Sequence, residues 1–377
     1  MALKKSFRNS IRQGLTKKHL IRALFKEIDL PLFAAVAAVS LFSVLNMYGI
    51  NGFGPLFKKQ IIFVAIGMAV MISFSFFNYR YLKNYSFPVL FFYFVSIILL
   101  LLTFYSRSVR GVNAWIVLGQ FTFEPAELAK LMLIVLMAKY FSQRHVHINQ
   151  FRHVLVAGIY YGIPVLIILA QPDLGSAIIF SLIWISILAA VGINKKHFFL
   201  LVILAVIVSY SSWIFVLKPY QKDRLLTFVN PGGDPRGSGY NLIQSKIAIG
   251  SGYWFGNGLG KGSQTTLGFL PESHNDFVFA ATAEQLGFVG AGLVVAAILF
   301  IVYRILSVGR AVVSNFGKIF SIGMAVFIFA HALIGASVNI GLMPVTGIPF
   351  PFLSYGGSYL ISIMSGLGIL QSIKRYG

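Results

Sequence analysis

The 377-residue chain contains no cysteine, which excludes a disulfide framework, a thiol nucleophile and a thiolate metal site and leaves its redox compartment open. Acidic residues are scarce as well: 10 Asp and Glu stand against 31 Lys and Arg, for a net charge of +21. Such a surplus could suit nucleic acid, but the basic residues are scattered among apolar segments and form no aromatic-interleaved basic face, so no nucleic-acid partner is expected. Neither a Walker nor a dinucleotide fingerprint occurs, and His145, His147 and His153 lack an HExxH arrangement. No nucleotide, flavin or haem cofactor is expected.

What the chain has instead is apolar length. Hydrophobic residues make up 57% and charged residues 11%, with a mean hydropathy of +0.81, the composition of a polytopic membrane protein. Ten apolar runs long enough to span a bilayer lie near 30–49, 61–78, 86–104, 123–141, 154–170, 174–193, 198–217, 276–303, 319–340 and 357–373. The expected fold is therefore all-α, with about ten transmembrane helices forming a single domain over 30–373. One large extracytoplasmic loop, 218–275, separates the seventh span from the eighth.

Residues 1–29 form a basic segment holding Lys4, Lys5, Arg8, Arg12, Lys17, Lys18, Arg22 and Lys26. The apolar run behind it is too long for a signal-peptide core and reads as an uncleaved first span. Lys and Arg concentrate in alternate connections, while the short loops on the other side hold only Lys58, Lys59, Arg107 and Arg110. By the positive-inside rule both termini, including 374–377, are expected in the cytoplasm. The acidic residues go the other way. Glu27 and Asp29 fall inside and Glu284 within a span, whereas Glu124, Glu127, Asp173, Asp223, Asp234, Glu272 and Asp276 fall at or near the outer surface. The chemistry is expected to face outward.

The densest polar stretch, Glu272 to Asp276, runs directly into the eighth span. If Asp276 begins that helix, then Ala280, Ala283, Gly287 and Gly290 recur below it as a small-residue stripe, and Asp276 faces protein or a cavity rather than lipid. Its plain reading is an N-cap, with Glu284 paired to a buried cation. Its functional reading is a reactive carboxylate, since ionisable groups at membrane depth are functional by default.

Elsewhere, Trp115 suits an interfacial anchor. Glu127 and Lys130 share one face of the fourth span as an ion pair or a substrate contact. Asp173 reads as an N-cap in a tight turn or as a site residue. The 218–275 loop carries Arg224, Lys246 and Lys261 among many glycines, cations suited to a phosphate group. His331 and Asn339 stand alone among apolar residues, and a lone helical histidine is ordinarily a packing or hydrogen-bonding residue. The three-proline segment around Ser354 has irregular backbone at membrane level, which persists only if buried in protein or lining a cavity.

Taken together, the ordered blocks FEPAELAK, QPDLGSA, DPRGSGYNLIQSKIAIGSG, LGFLPESHNDFVFAATAEQLGFVG and PVTGIPFPFLSYGGS resemble the SEDS family of bacterial cell-wall polymerases, over nearly the whole chain. Their wording is more similar to the family's elongation member than to its division member. The resemblance implies a ten-helix peptidoglycan glycosyltransferase of the bacterial cytoplasmic membrane. It would polymerise lipid II into glycan strands for elongation and rod shape, beside a class B penicillin-binding protein that cross-links them. The aspartate of the family's HxDF block falls on Asp276, and its fourth-helix Glu and Lys fall on Glu127 and Lys130. Ala114 and Glu124 depart from the family's usual arginine and glutamine, which puts in doubt any role carried over to that loop.

Glycosyl transfer with inversion needs a base for the acceptor hydroxyl, and Asp276 is the candidate, with Glu272, His274, Asp173 and Ser354 as supporting or substrate-binding residues. Arg224, Lys246, Lys261 or Lys130 would offset pyrophosphate charge, with or without a divalent cation, Mg or Mn, for which Asp276 is a candidate ligand. Lipid II, the nascent lipid-linked glycan and membrane lipids are the expected ligands. A lipid II flippase is the alternative from another class, but no internal repeat is visible and the carboxylates lie on one side. A noncatalytic scaffold would leave Asp276 unexplained.

Overall fold

The computed structural model describes residues 28–106, 112–119, 121–144, 151–215, 222, 227–228 and 239–377. Each of the ten expected spans is a long helix: α1 (Leu30–Asn51), α2 (Pro55–Phe76), α4 (Ser86–Leu102), α5 (Pro125–Ser142), α6 (Phe151–Ala170), α7 (Leu174–Val191), α8 (Lys195–Phe215), α11 (Val278–Ala311), α12 (Asn315–Ile340) and α13 (Gly357–Tyr376). Counted on the described residues, seven of them (α1, α2, α4, α6, α7, α11 and α12) are long and apolar enough by length and composition to cross a membrane. Among the described residues, α5 carries Glu127, Lys130 and Lys139, and α13 is rich in Gly and Ser. Both are mostly buried among other helices, so neither needs an apolar surface all round.

Local chemistry sets the boundaries. Asp29 accepts a hydrogen bond from Leu32 N at the start of α1, Asp173 from Ser176 N at α7, and Ser314 from Gly317 N at α12. Pro55 and Pro125 occupy first-turn positions, where the missing N–H is no loss. Left-handed Gly192 and Gly341 terminate α7 and α12. Short α3 (Arg80–Asn84), α9 (Tyr240–Ser251) and α10 (Ser263–Thr266) complete the helices. An antiparallel ribbon of β1 (Ile116–Leu118) and β2 (Phe121–Phe123), not foreseen in the sequence, leads into α5.

The described part of the expected outer loop is not a solvated excursion. α9 packs on α11 and α12, burying Leu242, Ser245 and Ala248. The eighth span also differs from expectation: its helix begins at Val278 rather than Asp276, and it breaks at Gly287, where φ is 68° and ψ is −169°. A break inside an apolar helix releases backbone groups that lipid cannot satisfy. Residues 253–258 supply the partners. Asn257 N and Gly258 N donate to Glu284 O and Gln285 O at 3.0 and 2.9 Å, and Phe288 N and Val289 N donate to Tyr253 O and Trp254 O at 2.8 and 3.1 Å. The intruding backbone lies so close that a Cβ on Gly287 would be 2.4 Å from Gly256 N. Among the described residues Glu284 has no cation as partner, contrary to its plain reading. Its carboxylate accepts from Gln264 N at 2.7 Å and from Thr265 N at 3.0 Å, and also from the Thr265 hydroxyl, capping α10.

The opposite end of the bundle is clasped by Asp29. Arg304 Nη2 and Lys374 Nζ donate to Asp29 Oδ2 at 2.6 and 2.9 Å, joining α1, α11 and α13. Gln371 exchanges hydrogen bonds with the Asp29 backbone on the same side. Burial alone would raise the Asp29 carboxyl, but Arg304 and Lys374 hold it below its ordinary value.

Two outcomes test these contacts. Gly287→Ala combines a strained positive φ with backbone overlap and is expected to destabilise by roughly 2 kcal/mol or more in thermal unfolding in detergent, while Gly292→Ala, with nothing within 4 Å of the added carbon, is neutral. Asp29→Asn is expected to unfold at lower temperature than the parent at pH 7. Because the folded carboxyl is depressed, the parent's advantage holds above the model-compound value of 3.8 and disappears as pH falls below it.

Candidate functional site

The N-termini of α5, α7, α11 and α13 converge at one end of the bundle around a cavity of about 360 Å³. Asp276, Asp173 and Glu124 line it, with Trp115, Tyr359 and the irregular segment at Pro344–Gly347. That segment passes tight against α7, where a Cβ on Gly175 would lie 2.6 Å from Thr346 O. The three-proline stretch thus lines a cavity, as irregular backbone at this depth must. Trp115 also lines the cavity.

Asp276 belongs to the turn before α11 and does not cap it; the cap position is Phe277. The turn is held on three sides. Within it, Asn275 N and Phe277 N donate to Glu272 O at 3.0 and 3.2 Å, with Glu272 at φ 51°. From α12, the buried Asn339 donates through Nδ2 to Asp276 O and accepts through Oδ1 from Ala280 N, each at 2.8 Å. From the segment before α13, Ser354 Oγ donates to Asn275 O at 2.8 Å and Tyr355 N to His274 O at 2.8 Å. Ser354 is therefore a buried clamp rather than a substrate contact. Glu272 and His274 sit beside each other, Nε2 to Oε2 3.9 Å, and Glu272 also accepts from Asn275 Nδ2 at 2.9 Å. Neither lines the cavity.

Glu127 and Lys130 are fully buried behind the cavity and do not line it. Lys130 Nζ donates to Glu127 Oε1 at 2.8 Å and to His331 Nε2 at 3.4 Å. With Nε2 accepting, His331 carries its proton on Nδ1 and donates to Pro349 O at 3.2 Å. The imidazole stacks on Tyr359 at 4.6 Å, and Tyr359 in turn faces the cavity. Lys246 and Lys261 are exposed and away from the cavity, and Arg224 lies outside the described residues. Among the described residues no Lys or Arg lines the cavity, so the expected cations are not brought together there. Nor do the described residues assemble three His, Asp or Glu side chains around a common point for a protein-only metal site.

A family model described as Cell cycle protein, spanning FtsW, RodA and SpoVE, matches residues 19–377. The chain belongs to this family. It is 32% identical over 351 residues to the peptidoglycan glycosyltransferase MrdB of Escherichia coli K12, covering 93% of this chain and 94% of that one. It is 33% identical over 321 residues to Stage V sporulation protein E of Bacillus subtilis, covering 85% and 87%. In three dimensions it resembles a chain from a peptidoglycan synthase complex that coordinates polymerization and crosslinking, with a TM-score of 0.78, 30% identity and coverage of 92% and 98%. An aspartate-to-alanine mutant of Thermus thermophilus RodA matches with a TM-score of 0.69, 25% identity and coverage of 92% and 97%. The FtsW/RodA/SpoVE membership agrees with the multi-pass helical architecture and with the resemblance carried by the five sequence blocks.

Asn339 is the positioning residue that sequence reading missed. Its only signal was a carboxamide in an apolar helix, and its partners are 59 and 63 positions away. Asn339→Leu is expected to leave Ala280 N of α11 and Asp276 O of the turn before it without this partner, at roughly 1–3 kcal/mol for the buried Ala280 N–H, and to lower the thermal unfolding midpoint of the detergent-solubilised chain.

Proposed function

We propose that this chain polymerises lipid II into glycan strands as a peptidoglycan glycosyltransferase, with Asp276 as general base. The observation that carries the proposal is a half-buried aspartate lining a cavity at the end of a helix bundle, in a chain similar over 93% of its length to a peptidoglycan glycosyltransferase. The acceptor sugar hydroxyl oxygen attacks the donor's anomeric carbon. The bond from that carbon to the pyrophosphate oxygen breaks, and the hydroxyl proton passes to Asp276. Undecaprenyl pyrophosphate leaves, and configuration inverts through an oxocarbenium-like transition state.

The leaving pyrophosphate is negative, and among the described residues no lysine or arginine lines the cavity to receive it. Helix N-termini carry partial positive charge and present N–H groups to anions. α13 has no side-chain cap, and its first residues, Gly357 to Tyr359, line the cavity. They are the proposed anion contact in place of Lys130, Lys246 and Lys261; Arg224 is retained as a candidate outside the described residues. Were a divalent cation, Mg or Mn, to take part, Asp276 would be its candidate ligand in this chain, and the ion would supply positive charge to offset that of the leaving group.

The protein is further proposed to lie in the bacterial cytoplasmic membrane with both termini inside and the cavity outward, beside a class B penicillin-binding protein. Support for that partner is the likeness to a synthase complex that couples polymerization to crosslinking. Elongation is the proposed cellular role, on the wording of the sequence blocks.

Purified chain with labelled lipid II tests the reading, with and without the partner and chelator. Long strands are the expected product, and Asp276→Asn is expected to slow their formation by roughly 10²–10⁴-fold while inserting and unfolding like the parent. Strands at the parent rate from that variant would remove Asp276 as base, and lipid movement without polymerisation would make the chain a flippase.

A further inference from the structure

A second cavity, of about 310 Å³, lies at the far end of the bundle from Asp276, between the C-terminus of α5 and the N-terminus of α6. Six residues line it: Tyr140 and Arg144 from the end of α5, and Arg152, His153, Val156 and Tyr160 from α6. The arrangement is built rather than incidental. Tyr140 OH meets His153 Nδ1 at 3.0 Å, the Arg144 guanidinium stands 4.6 Å over the Tyr140 ring, and the Tyr140 and Tyr160 rings are in edge contact at 6.1 Å. Tyr93 of α4 donates to Tyr160 O at 2.7 Å, fixing α6 from behind.

The charge in this cavity is one-sided. Among the described residues, neither Arg144 nor Arg152 pairs with a carboxylate. Arg152 is the second residue of α6, the end of a helix where the dipole already presents positive charge and disfavours a cation. Two guanidinium groups and a positive helix end around one hollow call for an anion, and guanidinium forks match the oxygens of a phosphate.

The way out of the cavity is apolar. Arg152, Val156 and Tyr160 follow one another at four-residue spacing down α6, so the charged rim passes into a stripe that points along the helix toward the bilayer. Leu155 and Ile159, each 51% exposed, flank that stripe. A soluble anion gains nothing from such a wall, whereas acyl chains lie along it while their headgroup stays at the rim. Basic pockets between membrane helices are known lipid headgroup sites for this reason.

We infer that the cavity between α5 and α6 binds the phosphate of an anionic glycerophospholipid, with Arg144 and Arg152 holding its oxygens and the exposed face of α6 holding its chains. This site is separate from the glycan chemistry and does not depend on it.

Native mass spectrometry of the full chain in detergent, with phosphatidylglycerol, cardiolipin or phosphatidylcholine added at equal concentration, tests the inference. The parent is expected to retain the anionic lipids over phosphatidylcholine, and Arg144→Gln with Arg152→Gln is expected to weaken that retention roughly tenfold or more. An unchanged variant, or equal retention of phosphatidylcholine by the parent, overturns the site. Inorganic phosphate that binds as tightly as the lipids and displaces them would make it a soluble-anion site and overturn the lipid assignment. Should the double variant not fold, Arg152→Gln alone, at an exposed position, gives the same comparison.

Discussion

A helix broken in the hydrocarbon stands only if the peptide groups released at the break find partners within the protein. In α11 that break is at Gly287, and the partners are the backbone of residues 253–258. Much of the cavity end depends on this exchange. It holds the glycine-rich stretch against the bundle, brings α10 beneath the Glu284 carboxylate, and so anchors the chain that continues to Asp276. Asn339 completes the support from α12, with the two ends of one carboxamide bonded to the first turn of α11 and to Asp276 in the turn before it. The cavity-lining carboxylate of Asp276, on an irregular turn, is thereby held by rigid helices.

The charged groups fall into two layers with different work. Asp276, Asp173 and Glu124 face the cavity, while Glu127 and Lys130 are sealed behind it with His331 and the ring of Tyr359. An ion pair so buried is a weak source of net stability, because desolvation offsets its attraction. Its position fits another use: it fixes the inner wall through His331 and Pro349, so that the cavity's shape is set from behind. The helix N-termini that converge on the cavity bring partial positive charge, which needs no long flexible side chain to be ordered.

The two ends of the bundle differ in kind. At the cavity end, backbone hydrogen bonds and short polar side chains order irregular segments. At the other, α1, α11 and α13 are clasped through one aspartate and two cations, and arginines at the ends of α5 and α6 line a second cavity. The same helices thus carry a preorganised polar site at one membrane face and electrostatic anchorage at the other.

The long helices were legible in the chain, because apolar helices are specified by local apolar runs and bounded by local caps such as Asp173 and Pro125. The place of Asp276 at a polar turn entering an apolar span was legible too, since a cluster of polar residues running into such a span is conspicuous in one dimension. What could not be read was anything decided by distant partners. The small-residue stripe below Asp276 looked like helix packing, yet Gly287 breaks the helix because backbone from 253–258 needs the space. Glu284 looked like half of an ion pair and instead caps α10; the lysines of the long loop looked like phosphate ligands and instead lie away from the cavity. Hydrophobic periodicity is written residue by residue, whereas the pairing of a buried polar group depends on which backbone the fold brings beside it, and that only the tertiary structure decided.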